Sequence, residues 1–309
     1  MNSEDSRHPF IVRERQLKYY LGEFAIWIHR FQAHCAEGNW SGSAAAAADP
    51  ACPLTNAGDK VVYLDSQPLE GHLPPITRSG DLIRYVPRQY RRYFIRMEGL
   101  SFEEYLSKFS SKSRATLRAK VRKFTEWRSF KTPHELREFH GLARDISKRT
   151  YQEKLHDAGL PDSPGFLEEM DRLAAQDRVR AYILFHEGQP VAYLYCPDHG
   201  GILVYEYLGY DPAHAKLSPG TVLQYLALEE LFAEGRYRLF DFTQGEGSHK
   251  EYFSNGSVFC GDIFWFPRTL GNRARVAAHY RLEALSVSAV AFLDRMGVKQ
   301  KIKTLLRRL

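Results

Sequence analysis

Cysteine is scarce in this chain: only four of 309 residues, and no two of them form a C-x-x-C pair. This spacing excludes a zinc ribbon and a disulfide scaffold. The sequence also lacks any run of about 20 apolar residues, which excludes a transmembrane helix. Its first residues carry Glu4 and Asp5 instead of the apolar segment of a secretory signal. These absences predict an intracellular, cytoplasmic protein.

Several catalytic motifs are missing as well. Neither G-x-x-x-x-G-K-[ST] nor G-x-S-x-G occurs, which argues against a P-loop enzyme and an α/β-hydrolase. The pair His134-Glu135 is followed by His140, six residues after the first histidine, so the H-E-x-x-H zinc spacing is absent. The glycine fingerprint of a dinucleotide site is also missing. We therefore expect no metal site and no tightly bound cofactor.

Positive charge is unevenly distributed. The net charge is only +6, yet residues 78–131 contain fifteen Lys and Arg against five Asp and Glu. The last eleven residues carry five basic side chains and no acid. Such local density favours an anionic partner, either a phosphate-bearing ligand, a lipid surface or RNA. A solvated basic face explains the pattern equally well.

Apolar spacing predicts the elements of the first half. Residues 17–35 place Leu17, Tyr20, Leu21, Phe24, Ile28 and Phe31 at helical intervals, which predicts one amphipathic helix. Residues 61–64 and 93–97 are predicted strands. Ser101 and Thr132-Pro133 are predicted to begin helices, and residues 113–126 form another helix with a basic outer face.

The second half predicts a mixed sheet. Three antiparallel strands are expected at residues 179–186, 191–196 and 202–210, followed by a helix over 221–234 that ends at Gly235. A strand at 237–242 then completes a strand–helix–strand unit, which favours a parallel crossover. A further strand pair is predicted at 258–266. The fold class is therefore α/β.

A candidate phosphate-binding loop precedes the helix over 221–234. It comprises Leu217, Ser218, Pro219, Gly220 and Thr221. The first turn of a helix has unpaired N–H groups and a partial positive charge, which suit a pyrophosphate. A simple capped helix start is the alternative, because Ser-Pro-Gly is also common turn chemistry.

The sequence resembles the acyl-CoA N-acyltransferase (GNAT) superfamily. The resemblance rests on GQPVA at 188–192, YLGYD at 207–211, LSPG at 217–220 and FDF at 240–242 followed by Gly245. It is most similar to the cellulose- and exopolysaccharide-associated, CelD-like branch, which is distantly FemAB-like. Ser218 stands where a glycine is usual, and His249-Lys250 stands where this branch commonly has Tyr-Lys.

The resemblance implies a GNAT-type mixed β-sheet flanked by helices, with a partial GNAT-like first half. We expect four segments: an N-terminal helix and variable linker at 1–59, the partial first half with its basic helix at 60–129, the acyltransferase core at 130–267, and basic amphipathic C-terminal helices at 268–309. It also implies that residues 217–221 bind the pyrophosphate of CoA.

Transfer of an acyl group to an amine needs a base and a proton donor for the leaving thiolate. Glu206 shares a predicted strand face with Val204 and Leu208, which would raise its pKa and suit it as a base; a paired buried acid is the alternative. Asp241 lies near the carboxyl end of the predicted neighbouring strand and is a second candidate. Tyr252 is the candidate proton donor.

Four further residues are candidates for substrate binding. Arg114 and Arg118 share one helix face and suit a sugar-linked phosphate. His249 titrates in a useful range and Lys250 suits an anionic group. For the two arginines and for Lys250 a solvated surface role is the alternative.

The C-terminal segment has Val298, Ile302, Leu305, Leu306 and Leu309 on one helical face and basic residues on the other. This pattern fits peripheral contact with an anionic inner-membrane surface. Packing against the protein's own body or a partner is the alternative.

The sequence predicts an N-acyltransferase that moves an acyl group, most simply acetyl, from acyl-CoA to an amino group of a sugar or of a cell-envelope or exopolysaccharide precursor. Two alternatives stay open. One is an aminoacyl-tRNA-dependent, FemAB-like transferase, although stacking aromatics are not interleaved with the basic stretch, so nucleic acid is the less favoured partner. The other is a non-catalytic partner in a polysaccharide complex.

Overall fold

Strands and helices are distributed along the whole described chain, and a computed structural model gives their bounds for residues 10–21, 24–36, 46–54, 57–150, 159–245 and 247–295. The strands are β1 (Phe10–Leu21), β2 (Phe24–Ala36), β3 (Val61–Pro68), β4 (Ile76–Ser79), β5 (Leu82–Arg96), β6 (Glu126–Phe130), β7 (Val179–His186), β8 (Gln189–Pro197), β9 (Ile202–Val204), β10 (Tyr207–Tyr210), β11 (Leu239–Asp241) and β12 (Gly256–Pro267). The α-helices are α1 (Phe102–Leu106), α2 (Ser111–Val121), α3 (Pro133–Ser147), α4 (Pro164–Ala175), α5 (Pro219–Glu234), α6 (Ser248–Phe253) and α7 (Leu270–Arg295).

Internal contacts divide the chain into two units. The terminal unit comprises Met1–Tyr90 with Phe259–Leu309, and the central unit comprises Arg91–Val258. In the terminal unit the strands follow the order β1-β2-β3-β12-β5, with β4 paired to β5. Strand β2 runs parallel to β3, and the pairs β1–β2, β3–β12 and β4–β5 are antiparallel.

The helix predicted over residues 17–35 is wrong, because strands β1 and β2 occupy that stretch as an antiparallel pair. Burial follows the two-residue period of a strand: Leu17 and Tyr19 are buried on β1, and Ala33 and Cys35 on β2. The segment is rich in aromatic and β-branched residues, which pack well on a sheet. Pairing with β3 therefore overrides an apolar spacing that a helix would also satisfy.

The central unit contains a four-stranded antiparallel sheet in the order β10-β8-β7-β6. It also contains β11, which pairs parallel with β9 and antiparallel with residues 94–96 of β5. The parallel pairing of β9 with β11 confirms the predicted crossover through α5. The predicted strand pair at 258–266 is a single strand, β12.

Both faces of the central sheet are buried. On β7, Tyr182 and Leu184 join the cluster formed with α1, α2 and α5, while Ala181 and Ile183 join the cluster formed with α3 and α4. Two covered faces explain why β7 is almost continuously apolar. The sheet is thus flanked by helices on both sides, as the fold class predicts.

Local signals for helix boundaries are largely confirmed. Ser101 and Thr132 each form a capping box with a glutamate three residues later, and helix α5 ends at Gly235 with φ +66°. Helix α7 confirms helical structure at the start of the 268–309 segment, whereas residues 296–309, with the predicted amphipathic face, lie outside the described residues. Among the described helices, none has the length and apolarity to cross a membrane.

Candidate active site

The central feature of the site is a strand that divides. Residues 202–210 are predicted as one strand, which is wrong: β9 pairs with β11, whereas β10 pairs with β8. The change of partner falls between two adjacent residues. The Tyr205 N–H donates to the Asp241 carbonyl at 2.8 Å, and the Glu206 N–H donates to the Tyr195 carbonyl at 3.3 Å. Because β9 and β10 belong to different sheets, an opening forms where they separate.

A cleft of about 570 Å³ lies at this opening. Its wall includes both sides of the divided strand, the first turn of α5 and the start of α6. The lining residues are Tyr193, Tyr205, Glu206, Tyr207, Leu208, Tyr210, Ala215, Ser218, Pro219, Gly220, Thr221, Thr243, His249 and Lys250. The volume is in the range of small-molecule and cofactor sites.

The first turn of α5 presents uncapped backbone groups to the cleft. Ser218 has φ +58° and ψ +48°, a left-handed conformation that is rare outside glycine, and its side chain makes no capping hydrogen bond. The N–H groups of Gly220 and Thr221 therefore lack a side-chain cap at the positive end of a 16-residue helix. A Cβ atom at Gly220 would lie 3.3 Å from Leu208 and 3.4 Å from Tyr210, so any larger residue would crowd the cleft. Leu217 of the predicted loop is not a lining residue.

Glu206 lines the same cleft. Desolvation, followed by the nearby negative charge of Glu169, raises the pKa of its carboxyl group. The Glu206 carboxylate makes no hydrogen bond or ion pair within the described residues. The structure therefore places an available carboxylate, with its proton affinity increased, in the cleft that also holds the helix start.

His249 is held by two neighbours in the cleft. Its Nε2 atom lies 2.8 Å from the Gln224 Oε1 atom and 3.3 Å from the Tyr205 hydroxyl. Desolvation and the adjacent Lys250 charge lower the pKa of His249 to about 4. The imidazole is therefore neutral near pH 7, which suits hydrogen bonding to substrate rather than binding of an anion.

Lys250 also faces the cleft, and its Nζ atom donates to the Gln244 carbonyl at 2.7 Å. Desolvation lowers the pKa of its ammonium group, while the nearby Asp241 charge raises it and the Arg92 charge lowers it. Lys250 is the cationic side chain among the lining residues, so it remains a candidate for an anionic group of the substrate.

Asp241 lies behind the cleft wall. It is 1% exposed, its carboxylate is ion-paired with Arg92, and its Oδ1 atom accepts a hydrogen bond from the Thr243 N–H at 3.0 Å. It is absent from the lining residues. These contacts fix the end of β11 and the turn at Thr243, which indicates a positioning role for Asp241 instead of the proposed role as a base.

The other predicted site residues lie outside the cleft lining. Tyr252 packs its ring against Phe109, with ring centroids 4.9 Å apart. Arg114 donates to the Phe109 carbonyl, and Arg118 is ion-paired with Glu103. The structure thus brings together residues 218–221, Glu206, His249 and Lys250, and does not bring Tyr252, Arg114 or Arg118 to them.

Sequence reasoning missed Tyr193, Tyr205, Gln224 and Thr243. Tyr205 lies between two residues of the predicted Val204–Glu206–Leu208 face, so a continuous strand would assign it to the opposite face. Gln224 lies inside an apolar helix, where its contact with His249 has no sequence signal. The positive φ of Thr243, +62°, is likewise invisible in the sequence. Within the described residues, no group of three or more His, Cys, Asp and Glu side chains is arranged to hold a metal ion.

Comparison with known proteins finds a family similarity in the central part of the chain. Residues 111–252 match the family model described as an acetyltransferase (GNAT) domain. The match covers less than half of the chain, and it falls where the structure has sheets flanked by helices. No curated protein matches the sequence.

Three solved structures illustrate what the described coordinates are similar to. The C-terminal domain assigned to a lysylphosphatidylglycerol synthetase from Agrobacterium fabrum is 8% identical, with a TM-score of 0.46, and the match covers 76% of this chain and 73% of that one. FemX is 11% identical, with a TM-score of 0.40 and coverage of 61% and 63%. A GCN5-related N-acetyltransferase from Kribbella flavida is 12% identical, with a TM-score of 0.33 and coverage of 61% and 62%.

Proposed function

We propose that this protein is an N-acyltransferase that uses acyl-CoA as co-substrate and acts on an amino group. The observation that carries the proposal is one cleft that contains both an uncapped helix start and the Glu206 carboxylate, which has no partner among the described residues. The match to the GNAT domain family supports the reaction class. Residues 218–221 would hold the pyrophosphate through backbone N–H groups and the helix dipole.

In the proposed reaction, the acceptor nitrogen attacks the thioester carbonyl. Glu206 takes a proton from that nitrogen as the C–N bond forms. The C–S bond breaks, and the CoA thiolate takes a proton from a cleft hydroxyl. We assign this donor role to Tyr207, which lines the cleft and directly follows Glu206 in the chain, and whose hydroxyl is protonated near pH 7. Tyr252, the donor predicted from the sequence, lies outside the lining.

For the acceptor, we propose an amino sugar or an amine-bearing precursor of an envelope polysaccharide or exopolysaccharide, as the CelD-like resemblance implies. Four tyrosines line the cleft and offer both flat apolar faces and hydroxyl groups, which suit a sugar ring. Lys250 and the neutral His249 would bind its polar substituents. We place the reaction in the cytoplasm, at the inner membrane if the acceptor is membrane-assembled.

The first experiment is calorimetric titration of acetyl-CoA into the wild-type protein and a Gly220→Glu variant. The new carboxylate would repel the pyrophosphate and crowd Leu208 and Tyr210, so we expect micromolar binding to be lost. Gly165→Glu is a matched control, because Ser163-Pro164-Gly165 begins α4 with the same tripeptide at an exposed position with open space around its Cβ. We expect this variant to bind as the wild type does.

Two outcomes would overturn the acyl-CoA proposal. Absence of binding to the wild type, together with salt-sensitive binding of aminoacyl-tRNA, would replace it with a tRNA-dependent transferase. Absence of binding to either donor would favour a non-catalytic role. If acetyl-CoA binds, the acceptor is sought by screening amino sugars for amide formation, and the length of the acyl chain by comparing CoA thioesters.

A further inference from the structure

The terminal unit contains a second cavity whose chemistry differs from that of the cleft. It measures about 660 Å³ and lies along β4, the start of β5 and the first turns of α7. Its ten lining residues comprise Arg78, Arg268 and Arg273, one threonine and six aliphatic residues, with no acid. We refer to this cavity as the arginine groove. A lining of three cations, one hydroxyl group and six aliphatic side chains is complementary to an anionic amphiphile.

The groove exists because of small side chains on one face of α7. Leu270, Arg273, Ala274 and Ala277 lie at positions i, i+3, i+4 and i+7, the spacing of a helix face that packs against its own protein. The two alanines are too short to fill the space. Leu270, at the end of this stripe, is 81% exposed, and Ile76 on β4 is 38% exposed. Both apolar side chains line the same cavity as the three arginines.

Within the part of the chain that the structure describes, the three arginines have no acidic partner. Arg78 donates only to the Gly80 carbonyl, at 3.5 Å, and the side chains of Arg268 and Arg273 make no hydrogen bond or ion pair within the described residues. Arg84, directly after the groove residue Ile83, shows the contrast, because it is ion-paired with Asp49. The buried Thr77 hydroxyl, which also lines the groove, likewise has no hydrogen-bond partner in the described residues.

We propose that the arginine groove binds the phosphate group of an anionic phospholipid at a bilayer surface. Arginine recognises phosphate through directed, charge-assisted hydrogen bonds. Leu270 and Ile76 would enter the interfacial region, where exposed apolar side chains gain from burial. A soluble phosphate compound or a nucleic acid would satisfy the arginines and leave Leu270 in water, so the apolar rim favours the lipid.

The test is co-sedimentation of the full chain with vesicles of phosphatidylcholine alone or with about a third phosphatidylglycerol, at low and physiological salt. We expect binding only to the anionic vesicles. Each single Arg→Gln change in the groove should weaken binding to these vesicles about fivefold. We expect a weakening of about 100-fold when Arg78→Gln, Arg268→Gln and Arg273→Gln are combined. Leu270→Ser, which keeps the charge, should weaken it roughly tenfold.

A matched control removes the same charge elsewhere. The control combines Lys112→Gln on α2 with Arg122→Gln and Lys123→Gln just after it. All three side chains are exposed in the central unit, and we expect the combination to change binding less than twofold. If this control combination lowers vesicle binding as much as the combined groove variant does, the loss follows from net charge alone and the proposal is overturned. Equal melting temperatures for all variants would show that they are folded.

Two other outcomes would also contradict the proposal. If changing Lys299, Lys301 and Lys303 to Gln abolishes vesicle binding while the groove variants retain it, the contact belongs to the C-terminal segment. If inorganic phosphate or a nucleic acid binds the groove and Leu270→Ser has no effect on vesicle binding, the ligand is a soluble anion and not a lipid.

Discussion

At the scale of single residues, two identical tripeptides show what the environment decides. Ser163-Pro164-Gly165 begins α4 and Ser218-Pro219-Gly220 begins α5. Ser163 has φ −81° and caps its helix by accepting from the Phe166 N–H, whereas Ser218 has φ +58° and makes no cap. The difference leaves the first turn of α5 open, which is the feature that a phosphate ligand requires.

The strain at Ser218 leads to a prediction about stability. Ser218→Gly should relieve the left-handed conformation, and after the entropy cost of glycine we expect a gain of about 0.5–1 kcal/mol in the free energy of unfolding. Ser163→Gly should give no gain, since that serine has ordinary dihedrals and a capping role. Thermal and denaturant unfolding would measure both. A gain of the same size at Ser163 would contradict the strain argument.

The raised pKa of Glu206 predicts the pH dependence of the proposed reaction. The base must be ionised, so kcat/KM should rise with pH through the raised pKa and then level off. Glu206→Gln should lower the rate about 10²–10⁴-fold, remove this acidic limb and leave acetyl-CoA affinity unchanged. Glu169→Gln should shift the limb to lower pH, because the Glu169 charge helps to raise the pKa of Glu206. An unchanged pH profile in Glu206→Gln would exclude it as the base.

At the scale of elements, the pairing of β10 with β8 depends on one glycine. Gly209 lies directly opposite Tyr193, and a Cβ atom at Gly209 would overlap the Tyr193 ring, 2.8 Å from its Cζ atom. Tyr193 in turn lines the cleft. The glycine therefore lets an aromatic ring lie across the strand and form part of the site wall.

Replacing this glycine should destabilise the protein. We expect Gly209→Ala to lower the free energy of unfolding by about 1–3 kcal/mol, since a buried aromatic ring has little room to move. Gly141→Ala should have the opposite sign, a gain of about 1 kcal/mol, because Gly141 lies inside α3 with open space around it. A double variant with Tyr193→Leu should recover part of the loss. Absence of coupling between positions 209 and 193 would refute the account.

At the scale of the whole molecule, a buried ion-pair network joins distant parts of the central unit. Glu234, at the end of α5, binds Arg180 on β7 and Lys131, which precedes α3. Burial raises the pKa of Glu234, but hydrogen bonds from Arg180 and Lys131 outweigh it, and the net pKa is lowered. Its stabilising contribution is therefore present at neutral pH and is lost as pH falls through the lowered pKa.

We expect Glu234→Gln to lower the free energy of unfolding by roughly 3 kcal/mol near pH 7, because it leaves the buried Arg180 guanidinium less well compensated. The difference from wild type should begin to shrink below about pH 4.5, where the carboxyl group of the unfolded chain takes up a proton, and should vanish once pH has fallen through the lowered pKa of folded Glu234. Glu126→Gln, which breaks an exposed pair with Arg128, should cost less than about 1 kcal/mol. Denaturant unfolding over a pH series provides the comparison. A loss that does not change with pH would refute the ionic origin.

Local chemistry by itself determined a large part of this protein. The caps at Ser101 and Thr132 and the end of α5 at Gly235 depend on residues within a few positions of each other, so the sequence predicted them correctly. The parallel crossover followed from the order of the elements. The sequence also pointed to residues 218–221 and to Glu206, which the structure places in one cleft; their roles stay predictions.

Only the tertiary structure decided three features. Residues 17–35 satisfy the spacing of a helix, yet pairing with distant β3 makes them strands. Residues 202–210 look continuous, but hydrogen bonds to Tyr195 on one side and Asp241 on the other divide them and open the cleft. The same Ser-Pro-Gly tripeptide caps one helix and leaves the other open. In each case the local conformations are close in free energy, and contacts with residues far along the chain select between them.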